Sequence, residues 1–337
     1  MRVTVTTPSR LAFCLIDLNG ELGRVDGCVG LALDKPEIKL YIESTDHPLD
    51  VTNRIEDREA ILAAAHAISA RTGHAARGRI VIRESYPAHT GLGYRTQLLL
   101  AAGKAIAALH ETQLTAREIA TVVRRGGTSG VGVAAFESGG FILDGGHSFG
   151  PGMEKESFVP SSASGAPPPP VVLRQDFPAS WRVLCVRCGT TRGLSGSAEV
   201  EFFRRTCPID SGEVADTSRI ILMLLLPSIV TSDIVGATGA ITHLQAVGFK
   251  RQIWELQPRE VYLAREVMEG LGLAGVGISS LGPTMYCFVG AAEADDAVQA
   301  TSRALQLKGI TANVWSTKAN NSGARVRRSH WIPQDMH

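Results

Sequence analysis

A glycine-containing turn that leads directly into an alanine- and leucine-rich segment constrains the fold of this chain most. The stretch is RESYPAHTGLGYRTQLLLAAGKAIAALH, residues 83–110. Pro87 fixes one backbone angle, and Gly91 and Gly93 allow conformations that a Cβ would hinder. From Thr96 onward the composition favours a helix. Such a turn places unpaired N–H groups at the positive end of a helix dipole, which is a suitable seat for a phosphate group.

The first helical turn after these glycines carries polar side chains that can face a bound anion. They are Tyr94, Arg95, Thr96 and Gln97. The alternative is a tight turn before an ordinary core helix, because short glycine patterns recur by chance. The glycines alone leave both interpretations open.

Composition restricts the class of protein. The chain has 337 residues, 44% hydrophobic and 20% charged, which is typical of a globular protein of one large or two ordinary domains. Lys plus Arg number 34 and Asp plus Glu 33. We therefore expect no nucleic-acid partner, and any anion site must be local. The N-terminus lacks the apolar core of a signal peptide, and the six scattered cysteines favour a cytoplasmic protein with reduced thiols.

Two other segments invite a functional interpretation that the sequence disfavours. The longest apolar run, from Ile220 to Val230, contains Pro227 and is expected to be too short to span a bilayer. It predicts a buried helix or strand, or a subunit interface. Cys185 and Cys188 lie in a predicted strand that would point them to opposite faces, and no second pair or nearby His completes a zinc site.

The first half predicts strands over residues 2–16, 28–45 and 78–85 and helices over residues 52–71 and 115–125. Between the first two strands lies a loop with both signs of charge, including Asp17, Arg24 and Asp26. It is either a solvated hairpin tip or a loop that contacts a polar ligand, and its glycines and mixed charges favour the ligand-contacting interpretation.

A glycine-rich region follows at residues 124–150. Its two apolar runs, VGVAAF and GFILDG, predict a β-hairpin. Arg125 and Ser129 precede the first run, and Asp144 and His147 follow the second. The glycines allow close approach to a ligand, whereas His147 alone is more typical of a structural histidine.

A proline-rich stretch divides the chain. Residues 151–180 include the run Pro167–Pro170, which predicts a linker or mobile flap. We therefore expect an N-terminal domain over residues 1–160, a linker over 161–178 and a C-terminal domain over 179–337. The second half predicts strands over 181–188, 285–290 and 310–316, a loop around Gly193 and Gly196, and helices over 213–226, 229–246, 258–270 and 293–308, which form an α+β layer. A second glycine loop runs from Gly277 to Thr284.

These features together resemble the GHMP kinase superfamily. PAHTGLGYRTQ stands at the position of its phosphate loop, and GISSLGPTMY at that of its C-terminal glycine motif. The resemblance implies a two-domain α+β fold with a ribosomal S5 domain 2-like N-terminal half and a ferredoxin-like C-terminal half. Four stretches, LIDLNGELGRVDGCVGLAL, GTSGVGVAAFESGGFILDGG, GLSGSAEVEFF and ISSLGPTMYCF, are closer to one branch, the β-ribofuranosylaminobenzene 5′-phosphate synthases, over residues 8 to about 325.

That branch implies a decarboxylating pentosyltransferase. Its members join 5-phosphoribosyl 1-pyrophosphate to 4-aminobenzoate or 4-hydroxybenzoate and release CO2 and pyrophosphate, in tetrahydromethanopterin biosynthesis. The resemblance further implies Mg²⁺ carried by the pyrophosphate substrate, a homodimer, and no membrane partner.

Two departures from the pattern bear on activity. Where the kinases have a catalytic Asp after Ser-Gly, this chain reads Ser129-Gly130-Val131-Gly132, so a kinase lacks its base. In the phosphate loop, Tyr94 and Arg95 replace small residues and either crowd the pocket or add a charge. A GHMP-type kinase and a non-catalytic phosphate-binding paralogue therefore stay as alternatives.

The chemistry of the implied reaction suggests a role for individual residues, as a hypothesis. Gly91, Gly93, Arg95 and Thr96 are expected to stabilise the pyrophosphate, and Arg24 to clamp an anionic group. Asp17, with Asp26 as a further candidate, would stabilise the cationic intermediate. The remaining expected substrate-binding residues are Tyr94, Gln97, Ser129, His147, Ser279, Ser280, Gly282 and Thr284; no metal ligands are assigned.

Overall fold

One long hairpin organises the first half of the molecule. A computed structural model describes residues 1–189 and 193–329. The elements are β1 (Arg2–Asp17), β2 (Arg24–Pro48), β3 (Asp50–Val51), α1 (Arg58–Thr72, after a 3-10 turn Ile55–Asp57), β4 (Arg77–Glu84), α2 (Tyr94–Leu109), α3 (Ala116–Val122), α4 (Val131–Glu137), β5 (Phe141–Asp144), β6 (His147–Ser148) and β7 (Val171–Gln175).

The long hairpin β1–β2 forms because its strands alternate in polarity. Val3 and Val5 are fully buried, while the intervening Thr4 is half-buried. The sheet order is β12-β1-β2-β4-β3, in which β12 is the strand Arg325–Ser329 near the end of the chain; β5 is joined to β2 and β7, and β6 is joined to β2. The pairs are antiparallel except for β3 with β4.

Helix α2 is the central helix of this half and is buried almost all round. Its small residues let neighbouring helices approach closely. A Cβ on Gly103 would lie 2.6 Å from Cγ2 of Ile119 on α3. Helix α3 begins with a capping box between Thr115 and Glu118.

The second half places helices on a four-stranded sheet of order β11-β8-β10-β9. Its elements are β8 (Trp181–Cys188), α5 (Ser197–Thr206), α6 (Ser211–Ile220), a π-helical turn (Ile221–Leu225), α7 (Leu226–Thr231), α8 (Ile234–Gln245), α9 (Gly248–Glu255), α10 (Arg259–Gly270), β9 (Gly277–Ile278), β10 (Met285–Gly290), α11 (Ala294–Leu307), β11 (Ala312–Thr317) and β12 (Arg325–Ser329). The α+β class predicted from the sequence is confirmed.

The long apolar run is longer in the structure than the sequence indicated. Helix α6, the π turn and α7 form one continuous helix over Ser211–Thr231, with 21 residues and a mean hydropathy of 1.6. Of its most apolar 18-residue stretch, 28% is buried. By length and composition this helix meets the criterion for a membrane span, so the expectation that the run was too short is wrong. Core helices of other proteins meet the same criterion.

Two short helices in the structure were not predicted from the sequence. Residues 131–137 form helix α4 and not a strand, because Val131, Ala134 and Ala135 fall on one helical face and pack on the β1–β2 hairpin. Residues 197–206, which follow the loop expected around Gly193 and Gly196 and had no predicted element, form α5, which buries Phe202 and Phe203.

The division into halves also differs from the expected boundary. Strand β7 lies inside the expected linker, yet it pairs with β5. Strand β12, expected in the C-terminal domain, pairs with β1. The first sheet therefore contains one strand from the expected linker and one from the expected C-terminal domain.

Candidate active site

The two glycine loops are in direct contact. Ser279 Oγ donates to the carbonyl of Gly91 at 2.7 Å, and Thr284 Oγ1 donates to the carbonyl of Thr90 at 2.6 Å. Gly91 has φ +81°, and a Cβ on it would lie 2.5 Å from the Ser279 carbonyl oxygen. Folding thus brings the two loops together.

A third segment completes this junction. The backbone N–H of Gly193 donates to the carbonyl of His89 at 2.7 Å. A Cβ on Gly193 would lie 2.6 Å from the Gly282 carbonyl oxygen. Residues 193–196 then lead into α5, and Gly193 allows this close packing against both loops.

A cavity of about 1200 Å³ opens where the three segments meet. The first residues of α2, α5 and α9 line it, and helix N-termini favour anions. Cationic side chains outnumber carboxylates on its wall. The cations are Arg10, Arg54, Arg95, Arg125 and Lys250, and the carboxylates are those of Glu56, Asp57 and Glu199. The cavity therefore suits a ligand with several negative charges.

The N-terminus of α2 is the candidate anion-binding site on this wall. Gly93 is its N-cap residue with φ +80°, and no side chain caps the helix, so its first N–H groups are available. Arg125 Nε donates to Thr96 Oγ1 at 3.2 Å. Burial, and next the charge of Arg95, lowers the pKa of Arg125 to about 10, which keeps it cationic at neutral pH beside the helix end.

Tyr94 is part of the cavity wall and leaves the cavity open. Its hydroxyl donates to Asp57 Oδ2 and accepts from Arg54 Nη2 at 2.7 Å. Its ring packs edge-on against Tyr86 with centroids 5.6 Å apart. Burial, followed by the neighbouring Asp57, raises the pKa of Tyr94 above its ordinary range. The same contacts keep Asp57 from acting as a free anion.

The structure separates the expected loop residues into two groups. Those that line the cavity are Gly91, Gly93, Tyr94, Arg95, Thr96, Ser129, Ser280 and Gly282. Three others support the loops from behind: Gln97 Nε2 donates to the Gly132 carbonyl at 2.7 Å, and Ser279 and Thr284 hold the first glycine loop.

Asp17 and Arg24 lie at the end of the β1–β2 hairpin, outside the cavity lining. Asp17 Oδ1 accepts from the N–H groups of Asn19 and Gly20 at 2.8 and 3.2 Å, as expected for a turn. Arg24 Nη2 donates to the carbonyls of Gly145 and Gly146, both at 2.8 Å. The contacts of both side chains are structural.

Asp26 and His147 were expected to meet substrate, and the structure corrects this expectation. Both are buried, Asp26 to 1% and His147 to 0% exposure. His147 Nδ1 lies 2.6 Å from Asp26 Oδ2, and Lys155 Nζ lies 2.9 Å from the same oxygen. Because a buried carboxylate needs a cation, this cluster anchors the segment that begins at Lys155.

Several cavity residues were not identified from the sequence. Arg10 is a cation within an apolar strand, a signal that was available; its Nη1 donates to the Gly91 carbonyl at 2.5 Å. Lys250, Phe203 and Phe249 also line the cavity. Nothing in their local sequence marks them, because only the packing of α5 and α9 on the glycine loops brings them there.

A resident metal site does not fit these side chains. Within residues 1–189 and 193–329, no cluster of three or more His, Cys, Asp or Glu could hold an ion. The cavity carboxylates are engaged singly: Glu56 with Arg54 at 3.2 Å, Asp57 with Tyr94, and Glu199 with Ser162 at 3.1 Å.

Comparison with known proteins agrees with this geometry. The model of the GHMP kinases N terminal domain matches residues 59–140. A homoserine kinase from Cytophaga hutchinsonii superposes with a TM-score of 0.68 at 15% identity, covering 97% of each chain. At that identity the likeness shows the fold alone, and the fold is that of the GHMP kinases.

Two archaeal relatives are much closer in sequence. Both are named β-ribofuranosylphenol 5′-phosphate synthase. The protein from Methanothermobacter thermautotrophicus is 42% identical over 293 residues, 85% of this chain and 88% of its own. That from Archaeoglobus fulgidus is 39% identical over 326 residues, 95% of this chain and 98% of its own. Identity at this level over nearly whole chains shows that the protein belongs to the β-ribofuranosylphenol 5′-phosphate synthases, a family of enzymes.

Proposed function

We propose that this enzyme joins 5-phosphoribosyl 1-pyrophosphate to 4-hydroxybenzoate or 4-aminobenzoate through a C–C bond, with release of CO2 and pyrophosphate, in tetrahydromethanopterin biosynthesis. The cavity of about 1200 Å³ at the junction of the glycine loops supports this proposal most. It offers cations and helix N-termini for a diphosphate and an apolar wall for an arene. The relatives' names describe a ribosylated phenol, which favours 4-hydroxybenzoate.

The donor's pyrophosphate would bind at the N-terminus of α2. The available N–H groups of that turn, with Arg95 and Arg125, would neutralise the charge that grows as the C1–O bond breaks. Arg10, held against the Gly91 carbonyl, would add a third guanidinium. We propose that Mg²⁺ enters on the diphosphate of the donor, because the described residues of the cavity wall include no carboxylate cluster that would hold it.

The aromatic acid would lie against the apolar wall. Phe203, Phe249 and Ile253 line this part of the cavity, and the two phenylalanine rings have centroids 4.9 Å apart. Such a wall accepts a flat ring and keeps water from the cationic ribosyl carbon.

The reaction balances without an external acid. The bond between ribosyl C1 and the pyrophosphate oxygen breaks, and the ring carbon that carries the carboxylate forms a bond to C1. The bond from that carbon to the carboxylate then breaks. Its electron pair restores the aromatic ring, and CO2 leaves.

The alternatives receive less support. A kinase needs a base beside its nucleophile, and the segment from Ser129 to Gly132 provides no carboxylate. A non-catalytic paralogue requires that Tyr94 fill the phosphate loop. Its hydroxyl is instead bound to Asp57 and Arg54 at the wall, which leaves space for a ligand.

Incubation with the donor, Mg²⁺ and each benzoate, followed by mass analysis, tests the function. The expected result is a ribosylated phenol or aniline phosphate with one CO2 and one pyrophosphate per turnover. Consumption of ATP with a sugar alcohol would instead support the kinase. Donor binding without any product would support the non-catalytic paralogue.

The catalytic roles of Asp17 and Arg24 stay predictions. The sequence predicted that Asp17→Asn and Arg24→Gln keep the fold and abolish CO2 release from carboxyl-labelled substrate. Because both side chains lie outside the cavity lining, we expect instead that both variants still release CO2. If both variants release CO2 at the wild-type rate, the two residues act only in the hairpin turn, as their contacts in the structure indicate.

We also propose that the enzyme is a cytoplasmic homodimer. The helix Ser211–Thr231 exposes large apolar side chains, with Leu222 at 56%, Met223 at 72% and Val230 at 58% exposure. An apolar strip of this kind on a folded enzyme is typical of an interface.

A further inference from the structure

A buried lysine lines the apolar part of the cavity. Lys250 lies in the first turn of α9 and is 2% exposed. Its Nζ donates to the carbonyls of Ile278 and Ser280, at 2.6 and 2.7 Å, on the second glycine loop. Among the described residues, no carboxylate lies within ion-pairing distance of it. A lysine so placed is expensive to keep charged.

The groups around Lys250 explain its protonation behaviour. Burial lowers its pKa to about 7; among neighbouring groups the thiols of Cys14 and Cys28 act against this and Arg10 acts with it. The glycine loop presents only backbone carbonyls. On α6, Glu213 is taken by Arg251 at 2.9 Å, and α8 contributes the neutral Gln245. The amine is therefore present in both protonation states near neutral pH.

The two carbonyls fix how this amine meets a ligand. The tetrahedral nitrogen is bonded to Cε and donates two N–H groups, to Ile278 and Ser280, so one position is left for a ligand. In the ammonium form this position carries a third N–H, and in the neutral amine it carries the lone pair. Lys250 can thus give or take one proton without losing its hold on the loop.

The surroundings fit a flat ring beside this nitrogen. Phe203, Phe249, Ile253 and Leu281 line the same cavity and belong to one apolar cluster. The lysine is the cation of this apolar part, whereas the N-terminus of α2 and Arg125 form the diphosphate end. A ring bound between the two ends has one substituent towards each.

The chemistry of the proposed reaction orients the ring. The carbon that bears the carboxylate must meet ribosyl C1, so the carboxylate end lies towards the diphosphate. In a para-substituted acid the hydroxyl then points away, to the apolar end where Lys250 lies.

We propose that Lys250 is the proton acceptor for the hydroxyl of a 4-hydroxybenzoate-type acceptor. This inference rests on the proposed function. As the ring attacks C1, the O–H bond breaks, its proton moves to Nζ, and its electron pair enters the ring. When CO2 leaves, the electron pair of the C–C bond returns to the ring and the proton returns to the phenolate. An amino substituent donates its electron pair without losing a proton first, so 4-aminobenzoate does not need the lysine in this way.

Lys250→Met and Lys250→Arg test the proposal with both acceptors. Lys250→Met is expected to lower kcat with 4-hydroxybenzoate by about 10²-fold or more. The factor by which it lowers kcat with 4-aminobenzoate should be at least tenfold smaller. Wild-type kcat/KM with 4-hydroxybenzoate should fall about tenfold per pH unit below neutrality, and this dependence should disappear in Lys250→Met. Lys250→Arg keeps donors for the two carbonyls but cannot accept the proton, so it should fold and stay deficient.

A matched control removes a lysine elsewhere. Lys104→Met also deletes a partly buried ammonium that donates to a backbone carbonyl, that of Leu114 at 2.7 Å, but it lies outside the cavity lining and should leave acceptor preference and the pH profile as in wild type. Equal losses of Lys250→Met with both acceptors, an unchanged pH profile, or full activity of Lys250→Arg would each overturn the inference and leave the proposed function standing. No product from either acceptor with wild-type enzyme would overturn both.

Discussion

Arg125 combines two properties that a diphosphate site requires. It is held by Thr96 at the end of α2, and its charge persists although burial lowers its pKa to about 10. Its chain neighbour Arg124 is exposed and lies outside the cavity lining. Both residues are arginines, but Arg125 lines the cavity and Arg124 does not. They therefore form a matched pair for testing the site.

We predict that Arg125→Met weakens binding of the pyrophosphate donor about tenfold or more, since charge-assisted hydrogen bonds of this kind contribute about 1.5–3 kcal/mol. Arg124→Met should leave the affinity unchanged. Isothermal titration with the donor and Mg²⁺ measures both. Equal effects of the two variants would place the diphosphate elsewhere.

Gly91 shows why the first loop needs glycine. Its φ of +81° strains any other residue, and a Cβ would also lie 2.5 Å from the Ser279 carbonyl. Gly23 has a similar φ of +72° with nothing within 4 Å of its Cβ position. Comparing alanine substitutions at Gly23 and Gly91 therefore separates the energetic cost of a positive φ from the cost of a clash between the two loops.

We predict that Gly23→Ala lowers the free energy of unfolding by about 1 kcal/mol and Gly91→Ala by about 3 kcal/mol or more, because the second loop must also move. Urea denaturation measures both. A Gly91→Ala variant no less stable than Gly23→Ala would mean that the two loops do not press on one another.

At the scale of elements, the sequence predicted most strands and long helices because their patterns were strong. Strand 181–188 matches β8 residue for residue, and the helix expected over 293–308 is α11, Ala294–Leu307. It failed at residues 131–137, where a short apolar run fits helix or strand equally. It also failed for β7 and β12, whose pairing partners lie far away in the chain.

The site was predictable only as far as it is local. Both glycine loops and the α2 terminus carry their signal in adjacent residues, and all three line the cavity. Lys250 and Phe203 reach it through packing of distant helices, which no local pattern encodes. Asp26 and His147 are polar residues of a glycine-rich region, and their burial against Lys155 depends on the fold.

The segment that begins at Lys155 tests how an element depends on one buried charge. Lys155 Nζ contacts Asp26 and the Val159 carbonyl, at 2.9 and 3.1 Å, and Pro160 just beyond lines the cavity. We predict that Lys155→Met lowers the free energy of unfolding by about 3–5 kcal/mol, because Asp26 is left buried without its cation.

Urea denaturation and limited proteolysis of residues 151–165 measure this effect. Lys104→Met is the control: Lys104 Nζ makes one contact, to the Leu114 carbonyl at 2.7 Å, so a loss of about 1 kcal/mol is expected. A loss that small for Lys155→Met would contradict the anchoring role.

At the scale of the whole molecule, the exposed face of the Ser211–Thr231 helix predicts assembly. We predict that Met223→Glu with Val230→Glu converts a dimer into a monomer, because two charges cannot be buried without partners. Leu307→Glu, at a site 82% exposed on α11, should leave the dimer intact. Sedimentation velocity distinguishes the two, and a wild-type monomer would contradict the proposal.

The proposed function depends on where the donor binds. A crystal structure with 5-phosphoribosyl 1-pyrophosphate and Mg²⁺ measures this most directly. We predict that the diphosphate lies at the N-terminus of α2, within hydrogen-bonding distance of Arg95 or Arg125, with C1 facing the wall formed by Phe203 and Phe249. A diphosphate bound instead at the hairpin end beside Asp17 and Arg24 would contradict it.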